Sequence, residues 1–354
     1  MLNKAFLETL TPVEIQMIHQ YINILFKDKI NEKTGNYENL EGTIERCPYC
    51  GSKHIVKNGH SIRTKRQKYL CRDCGEDFCA TTKSFFNHSR IGYYTWITFI
   101  ACEIVGLSLR DEAQITGRSV TTCFNMRHKL YDALRDYQEC QKQEGLCEID
   151  ATYTSINLKG QKHNMPRFSK KRGKHKPDPK HPNLRGISHH KICMITSIDE
   201  NDHILFKIAG LGPETFDMYN KYKSHFSKGA VLVCDDRTCI KSFAKENGLS
   251  TDVVPSGAFK SPSGNTVATL NQLHQSFSEL IKKKHGVSTR HLQGYIDWLV
   301  MTKQLRYRLE ARKMNTQIYM DIMRTPVSFT TKQICSLTMP VDVYAAYREY
   351  NFCS

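Results

Sequence analysis

Two Cys-x-x-Cys pairs near the front of the chain are the feature that most constrains its fold. The residues are Cys47, Cys50, Cys71 and Cys74, with twenty residues between the pairs. This spacing lets two short turns present four thiolates tetrahedrally to one zinc ion. Gly51 and Gly75 directly follow the pairs and allow tight turns. Because four thiolates leave no open coordination position, we expect residues 47–80 to form a zinc ribbon with a structural Zn²⁺.

The charge balance favours a polyanionic partner. The chain has 354 residues, with 51 Lys and Arg against 35 Asp and Glu, an excess of sixteen positive charges. Nucleic acid is the first candidate, although a basic protein without such a partner has the same composition. The length suits two or three domains. No run approaches the roughly 20 apolar residues of a membrane helix, and no signal peptide is recognisable, so we expect a cytoplasmic protein without a membrane partner.

The first segment, residues 1–46, is expected to be helical. Thr11 and Pro12 suit an N-cap and a first helical position, and apolar residues follow at spacings of three and four. Such an amphipathic helix is typical of packing or self-association.

A helix-turn-helix that binds DNA is predicted within residues 90–140. Ser108 precedes a short helical pattern, Gly117 ends it, and Ser119 begins a second helix. The second helix of such a motif enters the major groove, and Arg127 is one of its polar candidates for contact with DNA. A plain helical hairpin has the same periodicity, so both interpretations stay open.

Between residues 145 and 255 the pattern changes to alternating strands and helices. This change indicates an α/β layer with a mixed sheet flanked by helices. Two of its apolar strands are expected to end in carboxylates, Asp150 and Asp235. An apolar strand has no structural need for a carboxylate, so the pair predicts a site for divalent metal ions that organise phosphoryl transfer.

A basic insertion, residues 159–186, follows the first strand of this layer. Its many Lys, Arg and Pro residues cannot form a core, so we expect a solvated loop that binds phosphates. A charged loop without a target has the same composition. The candidate DNA contacts of the insertion are Lys170, Lys171, Arg172 and Lys174, and those of the zinc ribbon are Lys65 and Arg66.

Residues 265 to 284 form one long helical pattern. Asn271, His274 and Lys282 share a polar face that opposes an apolar stripe. Every amphipathic helix has a polar face, so the pattern alone assigns these residues no function. The last segment, residues 301–354, is expected to be a helical tail.

Residues 45–300 resemble insertion-sequence transposases that have an N-terminal zinc ribbon and an RNase H-like core. The similar segments include CEIDATYTSINLKG, AVLVCDDRTCIKSFAKENGL and HGVSTRHLQGYIDW. The resemblance implies an RNase H-like catalytic domain over residues 145–300. It also implies a protein of the bacterial cytoplasm or nucleoid that acts as a homo-oligomer on DNA.

Members of that family bind two Mg²⁺ or Mn²⁺ ions through two Asp residues and a Glu, or in some branches an Asn. The resemblance implies that Asp150 is the first carboxylate, Asp235 the second and Asn271 the third ligand. Asp235 is preferred to Asp236 because it lies eight residues before Phe243, the spacing typical of the family.

The resemblance also implies how DNA is bound and cut. His274 matches a histidine that often follows the Asn, and with Lys282 it is a candidate contact to the scissile phosphate. The ribbon and the helix-turn-helix would recognise the transposon ends, while the basic insertion would hold the DNA backbone for cleavage and strand transfer into target DNA. Because no acidic residue stands at position 271, a DNA-binding regulator that has lost catalysis is the alternative.

Overall fold

The structure is a computed structural model in which the described residues form two compact units. Described are residues 9–11, 14, 17–18, 44–62, 66–80, 82–83, 91, 93–139, 141–160, 191–308 and 330–343. Unit 1 contains the described residues up to Leu134 and 330–335, and unit 2 contains those from Arg135 to Arg308 and 336–343. Most of the predicted N-terminal helix, nearly all of the basic insertion and most of the C-terminal tail lie outside the described residues. None of the described helices is long and apolar enough to cross a membrane.

Unit 1 begins with a three-stranded antiparallel sheet. Its strands are β1 (Ile55–His60), β2 (Gln67–Cys71) and β3 (Asp77–Cys79), in that order. The apolar core of the sheet is small, with Cys47, Cys71 and Phe78 buried and Tyr69 stacked on Phe78. So small a core does not stabilise three short strands without a further cross-link.

Three helices follow the sheet in unit 1: α1 (Tyr93–Val105), α2 (Leu109–Thr116) and α3 (Val120–Asp132). Ser108 accepts a hydrogen bond from the backbone of Asp111 and begins α2, and Gly117 ends α2 in the left-handed region at φ 63°. Ser119 accepts from the backbone of Thr122 and begins α3. The two helices lie where the sequence predicts, whereas binding of DNA by α3 stays a prediction.

Arg127 lies on the buried side of α3. Its side chain is 3% exposed and forms ion pairs with Glu103 of α1 and with Glu112 of α2, the latter at 2.6 Å. The Tyr131 hydroxyl donates to Glu103 at 3.0 Å. The prediction that Arg127 contacts DNA is therefore wrong, because its guanidinium neutralises two carboxylates between the three helices.

Unit 2 is built on a five-stranded mixed sheet. Its strands are β4 (Leu146–Ser155), β5 (Lys191–Asp199), β6 (Ile204–Leu211), β7 (Val231–Asp235) and β8 (Ser250–Val254), in the order β6-β5-β4-β7-β8. The first three pair antiparallel, whereas β4, β7 and β8 run parallel. The mixed sheet confirms the predicted α/β class.

Helices cover both faces of this sheet. They are α4 (Phe216–Asn220) and α5 (Thr238–Glu246) on one face and α6 (Ala268–Lys283) on the other, while α7 (Leu292–Arg308) lies along the edge strand β6. Because side chains alternate along a strand, Ile149 and Ala151 of β4 face α4 and α5, where they join the main apolar core. Asp150 faces α6. A last short helix, α8 (Thr331–Cys335), belongs to unit 1 and packs against α3.

Glutamine side chains pair the outer backbone groups of the edge strand β6. Gln138 accepts from the N–H of Phe206 at 2.6 Å and donates to its carbonyl at 3.2 Å. Gln293 of α7 accepts from the N–H of Ile208 at 3.0 Å. Asp297 accepts from both glutamine amides, at 2.7 and 2.9 Å, and burial raises its pKa to about 7. This network covers one edge of the sheet with α7.

Arg127→Ala should lower the free energy of unfolding by about 3–5 kcal/mol, because it leaves Glu103 and Glu112 buried without a counter-charge. Urea denaturation of the zinc-loaded full chain measures the loss. Thr121→Ala, at the exposed start of α3, is the matched control and should change stability by less than about 0.5 kcal/mol. Equal effects of the two substitutions would contradict the buried network.

Candidate metal centres and active site

The four predicted cysteines converge at one end of the small sheet of unit 1. Their Sγ atoms all lie within 4.8 Å of one another. Cys47 and Cys74 have their Sγ atoms 3.6 Å apart, and Cys50 and Cys71 have theirs 3.5 Å apart. Zn–S bonds of about 2.3 Å in a tetrahedron place sulfurs about 3.8 Å apart. The donor set therefore fits zinc.

Backbone geometry explains how the two turns present their thiols. Gly51 and Gly75 donate to the carbonyls of Cys47 and Cys71 at 2.9 and 3.0 Å. Both glycines have positive φ, 76° and 73°, a conformation that other residues rarely adopt. The backbone N–H of Cys74 lowers the pKa of Cys71 to about 7, whereas burial and the neighbouring thiols raise the pKa values of Cys50 and Cys74.

Other polar residues of the ribbon have neighbours outside the cysteine cluster. His54 Nδ1 lies 3.1 Å from the Asp73 carboxylate, and the Cys79 thiol lies 3.6 Å from the Thr82 hydroxyl. Arg66 is half-buried. Lys65 lies outside the described residues, as do the four predicted DNA contacts of the basic insertion.

Asp150 and Asp235 lie on neighbouring parallel strands of unit 2. The last paired residues of β4 and β7 are Glu148 and Val233, so two residues further along each strand Asp150 stands opposite Asp235. The step of two keeps both side chains on the face covered by α6. Asp150 lies within β4 rather than at its end, because β4 extends beyond the point where β7 stops.

A cleft of about 640 Å³ opens at this place. The residues that line it include Asp150, Asp235, Asp236, Arg237, Phe259 and Asn271. Burial raises the pKa of Asp150 to about 6, and the nearby charges of Asp235 and Glu214 contribute to the rise. Carboxylates that converge in this way suit a divalent cation, which offsets their mutual repulsion.

Helix α6 carries Asn271 into the cleft. Val267 at its start provides no side-chain cap. Instead the carboxylate of Glu148, on β4, accepts the backbone N–H of Leu270 at 2.8 Å. Glu148 was missed from the sequence, although it stands two residues before Asp150 and therefore on the same face of the strand. It ties the start of α6, and with it Asn271, to the strand of Asp150.

His274 contacts the strands rather than the cleft. Its Nε2 lies 2.7 Å from the hydroxyl of Thr196, which donates to the backbone carbonyl of Asp150 at 2.9 Å. Since the hydroxyl has one proton, His274 must donate to it. Burial lowers the pKa of His274 to about 4, so the ring is neutral at pH 7. His274 is not one of the described residues that line the cleft.

Two ion pairs stand beside the aspartates. Asp236 pairs with Lys241 of α5. Arg237, with a side chain 56% exposed, has its Nε 3.5 Å from the carboxylate of Glu214, which is 6% exposed. The pairing holds a cation at the wall of the cleft, and neither Arg237 nor Glu214 was singled out from the sequence. Lys282 is exposed in the last turn of α6.

No protein-family model matches the chain. A segment of 128 residues, 35% of the chain, is 30% identical to an uncharacterised protein in the transposable element ISH50 of Halobacterium salinarum. The matched segment spans 41% of the length of that protein.

The chain also aligns with solved structures of Mos1 complexes. The alignment covers 66% of this chain and 78% of a chain in the strand transfer complex, at 12% identity and a TM-score of 0.27. For a pre-cleavage Mos1 transpososome the coverage is 66% and 79%, at 9% identity and a TM-score of 0.21. At such TM-scores the likeness carries no argument about this chain.

Cys71→Ser should reduce bound zinc from about one ion per chain to near zero, because a hydroxyl replaces one of four thiolate ligands. Inductively coupled plasma mass spectrometry of the purified chain measures the ratio. Cys79→Ser is the matched control and should keep its zinc, since Cys79 lies beside Thr82. Full zinc content in Cys71→Ser would place the ion elsewhere.

Glu148→Ala should lower the free energy of unfolding by about 1 kcal/mol, because the Leu270 N–H loses its acceptor at the positive end of a helix. Chemical denaturation without added magnesium measures this loss. Glu148→Gln keeps an acceptor oxygen and should recover most of the stability. If Glu148→Gln and Glu148→Ala lowered the free energy of unfolding equally, the hydrogen bond to Leu270 would contribute nothing to stability.

Proposed function

We propose that the chain is a transposase of an insertion sequence, which cleaves DNA at the element ends and joins the freed ends to target DNA. One observation carries the proposal: Asp150, Asp235 and Asn271 meet in a single cleft from two parallel strands and the helix that crosses them. Two carboxylates and an amide oxygen are oxygen ligands of the kind that Mg²⁺ and Mn²⁺ prefer.

The strand order and the similarity to an ISH50 protein support the same function. The five-stranded mixed sheet flanked by helices agrees with the RNase H-like domain that the resemblance implies. The relative is a protein in a transposable element, which agrees with the resemblance found in the sequence.

Each residue of the site has a distinct role in the proposal. Asp150 and Asp235 would hold divalent ions through their carboxylates, and Asn271 would contribute a neutral oxygen. Such ions would supply activation of the attacking hydroxyl and neutralisation of phosphate charge. Asp235 suits the role better than Asp236, because its side chain is on the same face of the sheet as that of Asp150, whereas Asp236 is paired with Lys241.

Neighbouring residues orient these ligands and the DNA. His274 acts through Thr196, which fixes the backbone of Asp150, so we infer a positioning role for it. Arg237, held by Glu214, contacts a phosphate of the bound strand. Lys282 lies on α6 three turns beyond Asn271 and adds positive charge for the DNA backbone.

Unit 1 is proposed to recognise the element ends. Ser119, Val120 and Thr121 are exposed at the start of α3, the part of a recognition helix that contacts bases. Arg66 of the ribbon, with Lys65 and the basic insertion, would bind phosphates. We propose that the chain works as a homo-oligomer, since a transposase must bring two ends together.

Asp150→Asn and Asp235→Asn should each reduce Mg²⁺-dependent cleavage by about 1000-fold, because each removes a charged metal ligand worth several kcal/mol at the transition state. The substrate is a duplex copied from the DNA that flanks the gene. Gel analysis measures nicking, and filter binding shows that the mutants still bind. Asp236→Asn is the matched control and should retain activity.

Two outcomes contradict the proposal. If Asp150→Asn cleaved DNA as fast as the wild-type chain, Asp150 would have no role in the reaction and the assigned site would be wrong. Binding without any cleavage by the wild-type chain would favour the alternative of a DNA-binding regulator that has lost catalysis.

A further inference from the structure

A phenylalanine ring lies open to solvent in the cleft of the aspartates. Phe259 is 74% exposed and lines the same cleft as Asp150 and Asp235. It belongs to the loop of residues 255–267, between β8 and α6. Burial of a Phe side chain is worth about 1.5–3 kcal/mol. A ring left in water forgoes this stabilisation unless a ligand covers it.

Hydrogen bonds anchor the loop directly after Phe259. The carboxylate of Asp252, on β8, accepts from the Ser261 hydroxyl and from the Asn265 amide, both at 2.7 Å. The Ser261 N–H donates to the Asn265 carbonyl at 2.8 Å, and Ser261 is buried. The chain is therefore held at the base of the loop while the ring points away from the apolar core.

The ring shares the cleft with a cation. Arg237 lines the same cleft, and its side chain is 56% exposed. A flat apolar ring together with a guanidinium suits a nucleotide, because the base stacks on the ring and the phosphate pairs with the cation. A base inside a duplex has both faces covered by its neighbours, so the ring is able to stack only on a base that has left the helix.

We propose that Phe259 stacks on an unpaired nucleobase next to the phosphate that is cleaved at Asp150 and Asp235. The inference rests on the proposed function and adds a property of the substrate: the base pair at the cleavage position is open when the site engages it. Because every base has a flat face, this contact is independent of sequence.

Affinity for paired and unpaired DNA tests the stacking. Two duplex probes of equal length are used, one fully paired and one with a short internal bubble, and binding to the zinc-loaded full chain is measured without magnesium. Phe259→Ala should weaken binding to the bubble probe by about 10-fold and binding to the paired probe by less than about 2-fold. The wild-type chain should prefer the bubble.

Two further variants separate the aromatic ring from apolar bulk. Phe259→Trp keeps a flat ring and should keep the preference, whereas Phe259→Leu should behave as Phe259→Ala. All three change an exposed side chain, so folding is preserved. Equal losses on both probes, or wild-type preference in Phe259→Leu, would overturn the proposal. If Phe259→Leu changed self-association, measured by light scattering, but left the binding of both probes unchanged, the proposal would be overturned as well.

Photochemical cross-linking locates the base. A 5-iodouracil placed in the bubble should cross-link under ultraviolet light to the peptide that contains Phe259, identified by mass spectrometry. A cross-link confined to the zinc ribbon would contradict stacking in the cleft.

Cleavage of the gene-flanking duplex distinguishes this inference from the proposed function. Cleavage by the wild-type chain together with an unchanged bubble preference in Phe259→Leu would overturn the stacking alone. Absence of cleavage with an intact, Phe259-dependent bubble preference would overturn the transposase function and leave a protein that binds opened DNA.

Discussion

The parallel pairing of β4 with β7 is the interaction on which the candidate active site depends. Its register sets Asp150 opposite Asp235, on strands about 4.8 Å apart. A slip of one residue would turn one carboxylate to the other face of the sheet, into the apolar core between the strands and α5. The core residues Ile149 and Cys234 oppose such a slip, because it would bring their side chains out. Packing on one face of the sheet thus holds Asp150 and Asp235 together on the other face.

Helix α6 is tied to the same strand at two points. Glu148 accepts the N–H of Leu270 near its start, and one turn later His274 reaches the Asp150 backbone through Thr196. Asn271 lies between these two contacts. The position of Asn271 relative to Asp150 is therefore set by the hydrogen bonds of Glu148, His274 and Thr196. A neutral histidine suits this task, since it adds no charge beside the carboxylates.

Much of this architecture follows from local chemistry. The ends of α2 and α3 follow from their capping residues, Ser108, Gly117 and Ser119. The spacing of the cysteines likewise predicts that their thiols converge. Arg127 could not be assigned correctly, because helical periodicity does not show that Glu103 and Glu112, on two other helices, approach the same face. Glu148, Glu214 and Thr196 were missed for the same reason: their partners are distant in sequence and meet only when the sheet is assembled.

A mixed sheet of this kind has edges at β6 and β8, and open edges invite strands from other molecules. On β6 the N–H groups of Phe206 and Ile208 already donate to Gln138 and Gln293, with Asp297 holding both amides in place. A second copy therefore has no backbone donors to meet at these positions. Along this stretch of β6, contact with another molecule is left to side chains rather than to an added strand.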